Sequence, residues 1–372
     1  MKRLFFVLFS LFLLHGTSLA CTSAIVTTQR SSEGVPLLWK HRDFKDGNTR
    51  VVYVDDYKYG YTAVVGNTKN YKRIVKAGIN EKGFGVISLT TYSLPCASPE
   101  EYKACNRRRI KGSCMWNGVS SCATVEEFEE MLRTTKRSNK YNSNIAVADA
   151  TGAVAYFEIW DLGYKRYDAT ERKEGFDVRT NFSFADTLGD SRRNTSTRRY
   201  AITMQQMKAH EGVFTPEQFI GYSRSYNSIK YGDVLASNER YYCASHTVPR
   251  CTSVGAYVLV CDEVCPRMLV MNGHPVSSLA VPVYVQAKHK IPQCVAGDAM
   301  CRLSNDFIEK AYTKGKKRKL LQKEVVREVL AIKQPKIEMP KQMPTKIEAF
   351  NKKVDKLYVK HEKRVRKVLA KF

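Results

Sequence analysis

The residue with the clearest chemical potential is Cys21, because it directly follows a segment with the pattern of a secretory leader. Two basic residues open the chain, and residues 4–14 form an apolar run. Ser18 and Ala20 then place small side chains three residues and one residue before a cut at Cys21. The apolar run is too short for a membrane span, which needs about 20 residues. The pattern predicts that residues 1–20 are a signal peptide of a secreted or periplasmic protein.

A cysteine at the first position of a mature chain can act as a nucleophile that carries its own base. The free α-amino group has an ordinary pKa of about 7.7–8.0, so it can accept the proton of a thiol whose pKa is about 8.5. This is the arrangement of an N-terminal nucleophile. No separate histidine is required, and the 7 histidines of this chain form no recognisable catalytic pattern.

The cysteine count also singles out Cys21. The other ten of the 11 cysteines form a group of four and a group of six: Cys96, Cys105, Cys114 and Cys122, then Cys243, Cys251, Cys261, Cys265, Cys294 and Cys301. Outside the cytosol such groups are expected to form disulfides, which leaves Cys21 as the free thiol. A zinc site that uses Cys261, Cys265, His246 and Cys251 is an alternative, but the paired spacing of a metal finger is missing.

The residues after Cys21 predict that this end of the chain is held in a sheet. The stretch "SAIVTTQ" and the stretch from Pro36 to Phe44 are separated by a polar turn, which is typical of a hairpin. Alternation along the second strand places Lys40 and Arg42 on one face, with His41 and Asp43 on the other. Charged side chains therefore return to the neighbourhood of Cys21.

The remaining pattern predicts an α+β fold with antiparallel sheets. Strand-like stretches come in adjacent pairs, such as "VKAGINEKGFGVISLTTY" and "NSNIAVADATGAVAYFEIW". Helices are predicted for "TVEEFEEMLRTT", with Thr124 as the N-cap, for "NTSTRRYAITMQQMKAH" and for "TPEQFIGYSRSY". The sequence contains no internal repeat and no glycine-rich phosphate loop.

Five stretches in the same order resemble the choloylglycine hydrolase, penicillin V acylase and isopenicillin N acyltransferase group of N-terminal nucleophile hydrolases. They are "CTSAIV", "WKHRDF", "GINEKGFGVISL", "NSNIAVADATGAVAYFEI" and "VRTNFSF". The resemblance covers roughly Cys21 to Met271. It implies the αββα sandwich of that superfamily, in which two antiparallel sheets are flanked by helices, and the cleavage of linear amides without a cofactor or metal.

The resemblance also implies roles for five residues. Cys21 matches the nucleophile, and Asp43 matches an aspartate that orients the N-terminal amine in those enzymes. Lys40 falls where the family has arginine. Asn181 matches an asparagine that helps to hold the oxyanion, and Arg199 matches an arginine that contributes positive charge near the thiolate.

Three neighbouring positions qualify these assignments. Arg42 could supply the missing guanidinium, but alternation directs it away from Asp43. Arg198 is the other choice for the family's later arginine. Thr90 falls where the family has a second asparagine, so the resemblance does not point to bile salts or penicillin V in particular.

The net charge of +25 is concentrated at the C-terminus. Residues 302–372 hold 22 Lys and Arg against 8 Asp and Glu. We expect a basic, helical extension there, after a catalytic domain at residues 21–301, with one helix in "KKRKLLQKEVVREVLAIKQ" and another in the last 28 residues. Such a segment can contact an anionic surface or simply pack on the body. Nucleic-acid binding is not expected, because aromatic platforms are missing.

The sequence therefore predicts an extracytoplasmic cysteine amidohydrolase that acts on a small N-acyl compound through an acyl-enzyme on Cys21. An acyltransferase or dipeptidase of the same superfamily would share the nucleophile and remains an alternative. A second alternative is a lipoprotein or binding module that is lipidated at Cys21. That reading conflicts with Ser18, because lipid-attachment signals usually have leucine at this place.

Overall fold

The computed structural model describes residues 20–45, 47–69, 71–91, 94–185, 193–242, 246–315 and 319–372. The predicted signal peptide falls outside these residues, apart from Ala20, and stays a prediction. All statements below concern the described part of the chain.

The first sheet contains the strand that directly follows Cys21. Its six antiparallel strands are, in order across the sheet, β12 (Phe176–Arg179), β1 (Thr22–Val26), β2 (Leu37–Asp43), β15 (Ser253–Val260), β16 (Arg267–Asn272) and β17 (Val281–Tyr284). The predicted hairpin is thus formed by β1 and β2, in the register that pairs Ser23 with Lys40.

The second sheet supplies the other half of the sandwich. Its seven antiparallel strands are, in order, β11 (Tyr164–Asp168), β10 (Val154–Trp160), β9 (Asn142–Ala148), β6 (Gly85–Leu89), β5 (Val75–Asn80), β4 (Tyr61–Gly66) and β3 (Thr49–Val54). Among the described residues, three short strand pairs lie outside both sheets: β7 (Arg108–Arg109) with β8 (Thr135–Lys136), β13 (Asn227–Ser228) with β14 (Gly232–Asp233), and β18 (Tyr312–Lys314) with β19 (Lys319–Leu321).

The described α-helices cover the outer faces of the sheets and the C-terminal region. They are α1 (Pro99–Ala104), α2 (Cys114–Ser121), α3 (Val125–Thr134), α4 (Arg193–Lys208), α5 (Pro216–Arg224), α6 (Gln293–Ala296), α7 (Ala299–Ala311), α8 (Lys323–Leu330) and α9 (Ile347–Leu369). The three helices predicted in the body correspond to α3, α4 and α5. Thr124 caps α3 as expected, because its hydroxyl accepts from the backbone N–H of Glu127 at 3.1 Å.

Successive side chains of a strand point to opposite faces of its sheet, so the hydrophobic core is divided into layers between and outside the two sheets. Inner residues of the two sheets, such as Ile25, Leu38 and Ile87, pack together between the sheets. Outer residues of the first sheet, such as Trp39, pack against α4 and α5, while outer residues of the second sheet, such as Phe157, pack against α2 and α3. The predicted α+β fold with an αββα sandwich is therefore confirmed.

The cysteines correct the disulfide prediction. Nine described cysteines are free thiols: Cys21, Cys96, Cys105, Cys114, Cys122, Cys261, Cys265, Cys294 and Cys301. Cys251 alone among the described cysteines is disulfide-bonded. Six of the free thiols other than Cys21 are buried, so they fill the core as small apolar side chains. Cys21 is therefore not distinguished from the other described cysteines by a free thiol, and this part of the prediction is wrong.

The C-terminal segment is part of the body. The expected boundary at residue 302 falls inside α7, and buried residues of α7, α8 and α9, such as Phe307, Val326 and Val365, belong to the same core cluster as Cys21. The long C-terminal helix is confirmed as α9. The helix before it is shorter than predicted, because Lys319–Leu321 forms a strand and the helix begins only at Lys323.

Candidate active site

Cys21 directly precedes β1, and its side chain points into the space between the two sheets. The residue is only 8% exposed and belongs to the inter-sheet core cluster. Its backbone nitrogen donates to Oδ1 of Asn181 at 2.7 Å. Its Sγ atom is 3.9 Å from the backbone carbonyl oxygen of Asp43. Two of the residues assigned from the resemblance therefore contact Cys21 directly.

Arg199 of α4 fixes the beginning of β1 from the opposite face of the sheet. Its Nη1 donates to the carbonyl oxygen of Cys21 and to the hydroxyl of Thr22, the latter at 2.9 Å. Its Nη2 donates to Oδ1 of Asn181 at 3.0 Å. The guanidinium is fully buried and contacts Cys21 itself, so it places a positive charge beside the residue that carries the thiol. Of the two adjacent arginines, Arg199 is the one at Cys21, whereas Arg198 contacts His246 at 3.1 Å.

Asn181 presents its oxygen, not its nitrogen, to Cys21. The Oδ1 atom accepts from both Cys21 and Arg199, and Nδ2 donates to the carbonyl oxygen of Thr90 at 2.5 Å. Asn144 of β9 holds this segment in place, because its Nδ2 donates to the carbonyls of Thr180 and Phe182 at 3.2 and 3.0 Å. An Asn side chain has two N–H donors, and the contact with Thr90 uses one of them.

Lys40 lies on the same side of the first sheet as Cys21. Its Nζ donates to the carbonyl oxygen of Lys76, on β5 of the second sheet, at 2.8 Å. Burial lowers the pKa of Lys40 from 10.5 to about 7, although the nearby Cys21 acts in the opposite direction. A lysine in this environment changes its protonation state near neutral pH, so it can exchange a proton with a neighbouring group.

The carboxylate of Asp43 lies in a buried polar cluster on the other face of β2. Its Oδ1 accepts from the hydroxyl of Ser253 at 2.7 Å and lies 3.3 Å from Nε2 of His41. Its Oδ2 lies 3.2 Å from Nε of Arg250. Burial alone would raise the pKa of Asp43, but Arg250 and His41 hold this pKa below its ordinary value.

Arg250 provides the guanidinium beside Asp43, a role that the sequence suggested for Arg42. The guanidinium of Arg42 lies over the ring of Phe44, 4.5 Å from its centroid, and points away from Asp43 as alternation predicts. Sequence reasoning missed Arg250 and Ser253 because they lie more than 200 positions from Asp43 and carry no local motif. Only the pairing of β15 with β2 brings them together.

The described residues contain neither a candidate metal site nor a helix that could span a membrane. No group of three or more His, Cys, Asp or Glu residues that could hold a metal ion occurs in this part of the chain. None of the helices described above is both long and apolar enough to cross a membrane.

Proteins similar to this chain occur among the solved structures. No protein-family model matches it, and no curated protein matches it either. Among solved structures, a mutant of the conjugated bile acid hydrolase of Clostridium perfringens is 11% identical with a TM-score of 0.46, over 72% of this chain and 93% of that chain. Penicillin V acylase of Agrobacterium tumefaciens is 14% identical with a TM-score of 0.43, over 72% and 86%.

A third similar structure is the Caenorhabditis elegans ortholog of N-acylethanolamine-hydrolyzing acid amidase, at 18% identity and a TM-score of 0.41, over 65% of this chain and 93% of that chain. The bile acid hydrolase and the acylase belong to the group that the sequence resembles. At these identities, and with TM-scores below 0.5, the likeness carries no argument about activity.

The geometry of the site places three functional groups around Cys21, two of them in contact with its backbone. Asn181 accepts from the nitrogen of Cys21, Arg199 supplies a fixed positive charge, and Lys40 provides an amine whose pKa is near neutrality. Such a site can support attack by a thiolate on a carbonyl carbon and transfer of a proton to a leaving amine.

Proposed function

We propose that this protein is an N-terminal nucleophile amidohydrolase that cleaves a linear amide of an N-acyl compound, with Cys21 as the nucleophile. The observation that carries the proposal is the contact of the Cys21 nitrogen with Oδ1 of Asn181, beside the buried guanidinium of Arg199. After a cut between Ala20 and Cys21, that nitrogen becomes an α-amine held in the same position.

The surroundings of this amine favour its function as a base. Arg199 contacts the carbonyl oxygen of Cys21, so its positive charge opposes protonation of the amine of the same residue. Oδ1 of Asn181 accepts an N–H of the amine and so fixes its orientation. The amine takes the thiol proton, directly or through a water molecule, and the thiolate attacks the amide carbonyl carbon.

The later steps follow from the same groups. The tetrahedral oxyanion requires N–H donors, and the second N–H of the Asn181 side chain is our candidate. The protonated amine donates its proton to the leaving amine, which leaves an acyl-enzyme on Cys21. Attack by water completes hydrolysis, and attack by another amine would give acyl transfer.

Lys40 is a second candidate for the proton acceptor. Its pKa of about 7 and its position beside Cys21 support this assignment. Asp43 acts through its backbone, because its carbonyl oxygen faces Sγ while its carboxylate is held by Arg250 and Ser253. We assign Asp43 as a positioning residue.

Burial argues against the alternative of lipidation at Cys21. The residue is 8% exposed, and Ala20 before it is fully buried. A lipid-modified Cys21 would have to leave the space between the sheets. This supports a free thiol in the folded protein.

The proposal is tested by mass spectrometry of the mature N-terminus and by the turnover of two cysteine-to-serine variants. We expect a free Cys21 amine, and release of the acyl group from a panel of N-acyl glycines, N-acyl taurines, penicillin V and short N-acyl peptides. Cys21→Ser should lower kcat/KM by more than about 100-fold, since a hydroxyl is far less acidic than a thiol. The matched control is Cys96→Ser, which removes an exposed thiol and should leave turnover unchanged. Near-normal turnover by Cys21→Ser would refute the mechanism.

A further inference from the structure

The solvent-facing side of α9 carries a continuous stripe of positive charge. Five lysines at spacings of three or four residues lie along one side of the helix: Lys352, Lys356, Lys360, Lys363 and Lys367. Lys353 and Arg364 flank this row. All seven side chains are exposed, and the row extends over about 22 Å, since a helix rises about 1.5 Å per residue. We call these seven residues the cationic stripe.

The acidic residues of α9 do not neutralise this charge, because each of them has a partner outside the stripe. Glu348 forms an ion pair with Lys290 at 3.0 Å. Glu362 forms an ion pair with Arg366 at 2.8 Å. The carboxylate of Asp355 accepts from two backbone N–H groups at the start of α6, at 3.1 and 2.9 Å. Like charges three or four residues apart on a helix repel each other, and an anionic partner would relieve this repulsion.

The opposite side of α9 is fixed in the hydrophobic core. Val354, Tyr358 and Val365 are buried there, between 0 and 3% exposed. The helix therefore cannot turn its apolar side toward lipid, as an interfacial amphipathic helix does. Contact through the cationic stripe is limited to charges at the surface of the partner.

The residue types of the stripe favour a continuous anionic surface over a partner with discrete anionic groups. Six of the seven residues are lysines, which lack the planar fork with which arginine binds a phosphate in two places. The stripe contains no aromatic side chain on which the bases of a nucleic acid could stack. Clusters of about 4–8 basic residues on an amphipathic helix are typical of contact with anionic lipid headgroups. Such headgroups move laterally in a bilayer, so they can gather beneath the stripe without a fixed geometry.

We propose that the cationic stripe binds this protein to lipid bilayers that contain anionic phospholipids, as a peripheral contact without insertion. The proposal does not depend on the amidase mechanism, because no residue assigned to the Cys21 site belongs to α9. Loss of one lysine charge near an anionic bilayer should lower the affinity about fivefold, so loss of three should lower it about 100-fold.

The test is co-sedimentation of the protein with vesicles of phosphatidylcholine, either alone or mixed in equal parts with phosphatidylglycerol. We expect binding to the mixed vesicles only. Raising the ionic strength from about 0.1 M to about 1 M should abolish it, because the Debye length falls from about 10 Å to about 3 Å. The triple variant Lys352→Gln/Lys356→Gln/Lys360→Gln should bind the mixed vesicles about 100-fold more weakly. These side chains are exposed, so the fold should be unaffected.

The matched control is Lys82→Gln/Lys103→Gln/Lys111→Gln, which removes the same charge from exposed lysines outside α9. It should change the affinity by less than about twofold. An equal loss in both triple variants, or no loss in either, would overturn the proposal, because the stripe would then not be the contact. Strong binding to phosphatidylcholine alone would contradict a contact made by charge. Binding to heparin or RNA through the three lysines of α9, without binding to the mixed vesicles, would assign the stripe to a soluble polyanion and also overturn it.

Discussion

Replacement of Lys40 by methionine gives a quantitative test of the electrostatics at the site. Methionine has a similar length and no charge, so it removes the buried ammonium while filling most of its space. The change also removes the hydrogen bond from Nζ to the carbonyl oxygen of Lys76. Removal of the buried ammonium should raise the free energy of unfolding, and loss of the hydrogen bond should lower it. Only the effect of the ammonium depends on pH.

The size of the expected change in the free energy of unfolding follows from the shifted pKa of Lys40. Burial lowers the pKa of Lys40 from 10.5 to about 7, so the unfolded chain binds more protons than the folded chain between these values. Stability contributed by this group therefore rises with pH across that window, and below pH 7 the full penalty of about 5 kcal/mol applies. Loss of the partner of the Lys76 carbonyl costs about 1–3 kcal/mol at every pH. Lys40→Met should thus be more stable than the native chain by about 2–4 kcal/mol at pH 6.

The measurement is the free energy of unfolding in urea at several values between pH 6 and pH 10. The comparison should be made in the native background and repeated with Cys21→Ala in both chains, because the charge of Cys21 raises the pKa of Lys40. The advantage of Lys40→Met should fade with rising pH and turn into a small disadvantage near pH 10. A difference between the two chains that stays constant over this range would refute the assignment of a buried, pKa-shifted lysine.

Two further outcomes concern the polar cluster and the C-terminal segment. Arg250→Leu should lower the free energy of unfolding by about 3–5 kcal/mol, because it leaves the buried carboxylate of Asp43 without its cation. Adding Asp43→Asn should restore part of this loss, whereas a simple sum of the two single effects in a double-mutant cycle would contradict the pairing. A chain that ends at Cys301 should fail to give a soluble folded monomer by size-exclusion chromatography, since it loses core residues of α7, α8 and α9; a monomer with native circular dichroism would contradict this.

The fold was largely predictable from local patterns. The alternating stretches, the polar turns and the helix caps each act over a few residues, and they gave the strand pair around Cys21 and the helix that begins after Thr124. Composition left open whether the C-terminal segment packs on the body, because composition reports charge and not burial. One face of α9 is basic and exposed, while Val354 and Val365 on the other face pack into the core.

The site was only partly predictable, because its polar contacts connect residues that are distant in the sequence. The resemblance led to Asn181 and Arg199, which contact Cys21, but it gave no information on which atom of Asn181 faces the nucleophile. It also could not identify Arg250 as the cation for Asp43, since the family pattern places that cation three residues before the aspartate.

The free thiols of this chain differ in exposure, so their rates of chemical labelling can report conformational opening. Cys96 is exposed and Cys105 is half-buried, with a pKa lowered by a hydrogen bond from Arg107, so both should react rapidly with a small alkylating reagent. Burial raises the pKa of Cys114 and Cys122 to about 11, which protects them while the second sheet keeps its helical cover. Counting labels by mass against time would therefore resolve local opening of each layer from global unfolding, without any engineered probe.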